Sequence, residues 1–186
     1  EFIFASGVRG YISRLNTNGT FDSSFSNGTG PNGVVNDIAL RADGKIIIGG
    51  TFTGFNNTEM QRIGRLNTDG TQDTTFFNNI SNLDVLDVEL LPDNSILAGS
   101  SSTALVNAVR RFSIDGVFDS SFVVRASKGG TVRKILQQPD GKVLVAGEFL
   151  YANGVERRSL ASIGLTGGMP LKTFLRGLAI GFATIT

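Results

Sequence analysis

Three arginines and three aspartates recur in step along this chain: Arg14 with Asp22, Arg65 with Asp73, and Arg111 with Asp119. A row of guanidinium groups can line an anion-binding ring. Alternatively, each planar guanidinium ties neighbouring modules through carboxylate and carbonyl hydrogen bonds. Placement inside strand-like segments, beside Leu15, Leu66 and Phe112, favours the tie, with the three aspartates as partners. Other oxygen-rich spacings promise less chemistry. Asn67 to Asp73 sets oxygen ligands at alternating positions, but it lacks the further carboxylates and bidentate Glu of a Ca²⁺-binding EF-hand, and turn formation accounts for it. Asp84, Asp87 and Glu89 gather at the start of a strand, where exposure to solvent is the ordinary expectation.

The chain contains no His and no Cys, which removes Ser-His-Asp and Cys-His catalysis, disulfides and thiolate metal sites. Glycoside hydrolysis needs only two carboxylates, yet no pair is marked by its spacing. The expectation is a protein that is not an enzyme and uses no cofactor and no metal. Lys and Arg number 17 against 16 Asp and Glu, a net charge of +1 without a charge run, so no nucleic acid partner is indicated. The apolar stretch from Phe174 to Thr186 is broken by Arg176 and is too short for a membrane span. It reads as an extra strand.

The elements that must position these residues follow from repetition. Asp22-Ser23-Ser24-Phe25 returns as Asp73-Thr74-Thr75-Phe76 and Asp119-Ser120-Ser121-Phe122, and Lys172-Thr173-Phe174 looks like a worn fourth copy. A period of about fifty residues means stacked modules. The 24 Gly and 14 Phe, with many Asn, Ser and Thr, suit tight turns joined to short strands. The fold class is therefore all-β. Each unit holds four strand-like elements. The first is Val35 to Leu40, Leu86 to Leu90 and Val132 to Leu136. A turn such as Ala42-Asp43-Gly44-Lys45 leads to an apolar second element, Ile46 to Gly50, Ile96 to Gly99 or Val143 to Gly147, expected to be covered on both faces. The third carries the repeated Arg, and a second turn leads to the Asp-Ser/Thr-Ser/Thr-Phe element. Units run over 1–33, 34–83, 84–130 and 131–174, with a tail at 175–186. The first lacks its opening strand, because Glu1 to Ser6 reads as the middle of a repeat.

The run Val35-Asn36-Asp37-Ile38-Ala39-Leu40-Arg41-Ala42-Asp43-Gly44-Lys45, followed by Gly49-Gly50-Thr51-Phe52-Thr53, Arg65-Leu66-Asn67-Thr68-Asp69-Gly70 and Asp73-Thr74-Thr75-Phe76, resembles the delta-60 repeat of large bacterial and phage-associated proteins. The resemblance covers about residues 1 to 168. It implies a β-propeller-like array of four-stranded antiparallel blades, here about three and a half. The fourth unit departs from the pattern, with Leu160-Ala161-Ser162 in place of Arg-Leu-Asn and Leu171 in place of Asp. Open sheet edges are a hazard. Either the chain is part of a larger propeller, the favoured expectation, or its tail supplies the missing strand and closes a small ring.

Alternating strands put the tight turns at one end and the longer connections at the other. The latter are Thr53 to Gln61, Ser100 to Asn107 and Leu150 to Arg158 within blades, and Ser26 to Gly33, Phe77 to Leu83 and Val123 to Gly130 between them. Loops on a rigid sheet are where recognition resides. That end carries Phe55, Asn56, Asn57, Glu59, Arg125, Lys128, Tyr151, Asn153, Glu156 and Arg157 as possible ligand contacts, with Asn56 and Asn153 expected to brace turns. The function this supports is a non-enzymatic module of a larger extracellular, cell-surface or virion protein, a scaffold and adhesive or protein-interaction platform. Its partners are other parts of the same protein or assembly, or a protein or glycan ligand. A carbohydrate-binding propeller is the alternative, and a polysaccharide-degrading enzyme stands behind it.

Overall fold

The computed structural model describes residues 2–4, 12–77, 83–101, 107–122, 124–127 and 130–165; of residues 2–4, 107 and 125–127 only the backbone is described. Every element among them is a strand. Module one contributes β1 (Phe2–Phe4) and β2 (Ser13–Leu15). Module two is β3 (Val35–Leu40), β4 (Ile46–Gly50), a small hairpin of β5 (Gly54–Phe55) and β6 (Thr58–Glu59), and β7 (Ile63–Leu66). Module three is β8 (Val85–Leu90), β9 (Ile96–Ser100) and β10 (Asn107–Phe112), followed by the linker strand β11 (Val124–Ser127). Module four is β12 (Thr131–Gln137), β13 (Val143–Glu148), the hairpin β14 (Tyr151–Ala152) and β15 (Val155–Glu156), and β16 (Leu160–Ile163). Modules two to four share the antiparallel order first–second–third strand, and each first strand carries a bulge near its start, between Val35 and Asp37, Val85 and Asp87, and Val132 and Lys134. The fourth unit, despite its divergent sequence, forms the same three-stranded sheet. The fourth element is short: it pairs through single bridges, Leu15 with Phe21, Leu66 with Gln72 and Phe112 with Phe118, and then turns away. Lys172 to Phe174 and the tail lie outside the described residues.

The second strands form the packed centre because their two faces serve different cores. Ile46 and Ile48 pack with Ile12, Phe25, Phe52 and Phe55 towards module one, while Ile47 joins Val85, Val88, Ile96 and Phe112 towards module three. Leu97 in turn faces Val132, Ile135 and Val145 of module four. A period of two residues splits each continuous apolar run between two interfaces. Burying side chains of this size contributes roughly 1.5–3 kcal/mol each. Gly49 is dictated by the same packing, since a Cβ there would lie 2.6 Å from a methyl of Val85.

The six tight turns among the described residues share one design. In Arg41 to Lys45 the Gly44 N–H donates to the Arg41 carbonyl and the Lys45 and Arg41 backbones pair, so a type I turn is closed by Gly44 at φ 81°. Asn16–Thr20, Asn67–Thr71, Leu91–Ser95, Ser113–Val117 and Gln138–Lys142 repeat the backbone pattern. This is a three-residue hairpin with a glycine bulge. Left-handed φ therefore falls on Gly or, at Asn94, on Asn. The preceding Asp caps instead: Asp43, Asp69, Asp93 and Asp140 each accept the N–H two residues on. Asp69 thus braces its turn, as the turn reading of Asn67 to Asp73 expects.

Each recurrent Arg works across a module boundary. Its Nε donates to the Asp eight residues on, at 2.8 Å for Arg14–Asp22, 2.7 Å for Arg65–Asp73 and 2.8 Å for Arg111–Asp119. Its Nη1 donates to a carbonyl of the next module: Thr68 for Arg14, Ile114 for Arg65 at 2.6 Å, and Leu165 for Arg111 at 3.4 Å. The hydrogen-bonded carboxylate is thus within the Arg's own module and the carbonyl is across the boundary, joined at Arg65 by the more distant Asp115 carboxylate at 3.8 Å. The guanidinium carbons also lie over Phe25, Phe76 and Phe122, 4.9–5.3 Å from the ring centroids, close enough for cation–π attraction. The Asp side chains cap their own corner through the Ser24, Thr75 and Ser121 N–H and hydroxyl groups. These bonds from Ser24, with Arg14 behind them, hold the Asp22 carboxyl down at about 2. Hydrogen bonds from Ser121 and Arg111 do the same for Asp119, also to about 2. Burial works against the charge of Asp73, but Lys45, Thr75 and Arg65 outweigh it and keep its carboxyl far below the usual range.

Candidate functional site

The long-loop end is assembled from two matching hairpins and the linkers that enter each module. In the β5–β6 hairpin, Asn56 and Asn57 turn the chain at φ 48° and 63°; in β14–β15, Asn153 and Gly154 do so at 48° and 78°. Two consecutive positive φ values make a type I′ turn, whose twist matches the strands it joins. Both hairpins close on a left-handed residue that is not glycine, Arg62 at φ 64° and Ser159 at 63°, whose N–H groups donate to the Phe52 and Phe149 carbonyls. The Arg62 side chain spans from the Thr51 carbonyl to Asp84, 2.7 Å away, and so joins modules two and three.

Linkers are stitched to these hairpins. Asn32 Oδ1 accepts the Thr53 and Gly54 N–H groups at 2.8 and 3.0 Å, and Asn56 Oδ1 accepts the Gly30 N–H at 2.9 Å. Pro31 bridges to Phe55, and β11 pairs with β14 at the same place in module four. Between linker and hairpin in module two lies a groove of about 480 Å³, rimmed by Pro31, Asn32, Asn57, Thr58 and Glu59.

The residues proposed as ligand contacts separate accordingly. Phe55 is wholly buried beside Ile12 and Phe52 and offers no ring face to a ligand; both residues of its short strand lie in the core. Asn56 braces the linker, as expected, and Asn153 occupies the matching left-handed turn. Asn57, Glu59, Asn153 and Glu156 are exposed, and Tyr151 and Arg157 are half-buried. Glu59 accepts a hydrogen bond from Gln61 at 2.5 Å, Glu156 accepts one from Arg158 at 3.1 Å, and Arg157 donates to the Glu156 carbonyl at 2.7 Å. Arg125 lies on β11, its backbone paired with Asn107. Lys128 and most of the Ser100–Asn107 loop lie outside the described residues. The two matching hairpins therefore present Glu59 and Glu156 outward on the same kind of support, but bring no aromatic pair together.

A second polar group was not expected as a unit. The first strand of module three, β8, packs against both β3 and β12, so the first strands lie side by side in an inner layer. Asp37 and Asp87 stand six residues ahead of the turn residues Asp43 and Asp93, and Lys134 stands six ahead of Asp140. Asp37 accepts the Val88 N–H at 2.9 Å, and Asp87 accepts the Ile135 N–H at 2.7 Å and the Lys134 ammonium. Asp87 is 2% exposed, which corrects the expectation of a solvent-facing residue. Burial, reinforced by the charge of Asp37, pushes its carboxyl up, and the hydrogen bond to Asp87 raises the Lys134 ammonium in turn. The equal spacing before the turn was the signal available in the sequence. Chemically, each inner carboxylate is spent on the backbone of the following module.

A family described as a domain of unknown function (DUF5122) beta-propeller matches residues 1–25, 41–76, 91–122 and 138–161, more than half the chain, and the chain belongs to this family. The matched segments carry the tight turns and Arg–Asp corners, while the intervening stretches carry the linkers and first strands. No curated protein matches the chain.

Proposed function

From its place in a β-propeller family, we propose that this chain is a non-catalytic propeller module serving as scaffold and interaction platform, with its long-loop end as the contact surface. The observation that supports the reading most is how the polar residues are used. Those that recur from module to module, the Arg–Asp corners, turn aspartates and inner carboxylates, are committed to hydrogen bonds that hold modules together. Those on the loop hairpins, among them Asn57, Glu59, Glu156 and Arg158, stand exposed instead, with Glu59 and Glu156 at matching positions. The likeness to delta-60 repeats of large bacterial and phage-associated proteins supports an extracellular, cell-surface or virion setting and an adhesive role within a larger protein. Of the two aromatics offered for glycan stacking, Phe55 is taken by the core and Tyr151 is half-buried.

The test is binding of the purified chain to protein and glycan arrays, repeated with Glu59→Lys/Glu156→Lys at the loop end and Asp140→Lys at the turn end. Binding lost with the first and kept with the second is the expected result. Loss with the turn-end variant alone overturns the assignment of the surface. Release of product from a polysaccharide, abolished by one carboxylate change, overturns the non-catalytic reading.

A further inference from the structure

The outer corner of a module lies between the residue before its recurrent Arg and the residue before its recurrent Asp. These are Ser13 and Phe21 in module one, Gly64 and Gln72 in module two, and Arg110 and Phe118 in module three. Grooves of about 760 and 270 Å³ run between these residues in modules one and two. In module three a side chain of the module itself takes this place, with the Arg110 guanidinium carbon 5.9 Å from the centroid of the Phe118 ring. Among the described residues no carboxylate pairs with Arg110, and its Nε has no hydrogen-bond partner. The corner thus holds a half-buried guanidinium by packing and by cation–π attraction to a ring.

Module two offers more to a cation than module three does. Its groove runs from Glu59 past Met60, Gln61 and Gly64 to Phe77. Glu59 is exposed, and the Phe77 ring is 68% exposed. The cation in the groove wall, Arg65, is 4% exposed and bonded to Asp73 and Ile114, so the charge at the rim is negative. The matching glutamate of module four carries its own cation: Arg158 Nε and Nη2 both lie 3.1 Å from Glu156 Oε1. At the position equivalent to Arg158, module two has the neutral Gln61, which donates to Glu59 at 2.5 Å. Among the described residues no cation pairs with Glu59.

We infer that the outer corner of module two receives an arginine side chain of a protein partner, which rests on the loop end being the contact surface and gives that partner its chemistry. Glu59 pairs with the guanidinium and the Phe77 ring forms the flat wall beside it. Two arginines of the chain itself mark the two halves of the site. Arg158 shows the hairpin glutamate taking a guanidinium, and Arg110 shows the corner taking one. The planar guanidinium, with donors in a fixed fork, bonds a carboxylate at its edge while its face lies on a ring.

The test is a chemical-shift titration of the ¹⁵N-labelled full chain with N-acetyl-arginine N-methylamide, set against the uncharged isostere N-acetyl-citrulline N-methylamide. Saturable shifts gathered at Glu59, Gln61, Gly64, Gln72 and Phe77 with arginine, and absent with citrulline, are the expected result. Glu59→Gln should weaken binding by about two- to fivefold, the range of an exposed ion pair. Gln61→Arg, which gives module two the internal cation that module four has, should abolish it. Glu148→Gln removes an equal charge from a glutamate already held by Arg133 and should leave it unchanged. Equal shifts with citrulline, shifts that do not saturate, or undiminished binding by Gln61→Arg overturn the inference. The probe needs no protein partner, so such a failure leaves the contact-surface reading standing, whereas loss of array binding through the turn end alone removes that reading.

Discussion

The two ends of the modules use the same residue types to opposite purposes. At the tight-turn end, Asp and Asn face inward along the chain: Asp69 caps Thr71, Asp73 caps Thr75, and Arg65 ties the corner to Ile114 of the next module. At the loop end, Asn32 and Asn56 do comparable bracing, but Asn57, Glu59, Asn153 and Glu156 stand outward on hairpins of matching backbone. One end is fixed by its bonds. The other keeps a fixed backbone and turns polar side chains outward, which is the division expected where a scaffold carries recognition loops.

Acid provides the broadest way to break this difference, because it strikes all the corners together. Asp22 and Asp119 titrate at about 2 when folded, below the value of about 4 expected of an unfolded Asp. Their stabilisation is therefore complete above the unfolded value and is lost as pH falls through the folded one. Asp87 acts in the opposite sense, since its carboxyl is raised and protonation relieves the cost of burying its charge. With three corners against one inner carboxylate, urea midpoints should fall steadily below about pH 4. A midpoint that is flat down to pH 2 would show that the corners do not hold the modules.

Within the series, the corner of module two should dominate. Arg65 and Asp73 have side chains 4% and 5% exposed, against 25% and 28% for Arg111 and Asp119. Asp73→Ala leaves a buried guanidinium without its partner and should cost about 3–5 kcal/mol. Asp119→Ala loses a cap and a wetter ion pair, and should cost about 1–2 kcal/mol. Equal losses in denaturant titrations would mean that burial does not set the strength of these ties.

How much of this was legible follows from where the physics is local. Tight turns and second strands could be read because an Asp-Gly pair or an unbroken run such as Ile46 to Gly50 carries its own conformational preference. The Arg–Asp partnership could be read from its period. The burial of Asp87 could not, because it depends on the bulged first strand of the next module lying over it. Phe55 was misjudged for a related reason: in a two-residue strand no alternation is long enough to show which face is inward. The left-handed Arg62 and Ser159 carry no turn signature, since their conformation is imposed by the bonds to Phe52 and Phe149.

Turn glycines give a finer comparison. Gly70 and Gly141 have φ 87° and 78°, so an alanine at either pays the left-handed penalty of roughly 1–2 kcal/mol. Only Gly70 also lies under a ring, with Phe25 at 3.0 Å from the added methyl, whereas no described atom is within 4 Å at Gly141. Gly70→Ala should therefore cost about 1–3 kcal/mol more than Gly141→Ala, the usual range for forcing a methyl into a packed contact. Matching melting temperatures would remove the contact between the Phe25 ring and the Gly70 turn from the forces joining modules.

The smallest effects should come from the loop end. Glu59 and Glu156 are exposed, and their hydrogen-bond partners, Gln61 and Arg158, stand two residues away on the same hairpins. A glutamine can still accept those bonds through its side-chain carbonyl, and no module boundary depends on them. Glu59→Gln and Glu156→Gln should each leave stability within about 0.5 kcal/mol of the parent, as surface changes away from structural bonds do. Their effect belongs in binding: removing the charge changes what the hairpins present while the type I′ turns that carry them stay as they are. A destabilisation comparable to Asp73→Ala would place these glutamates among the structural ties and erase the distinction between the two ends.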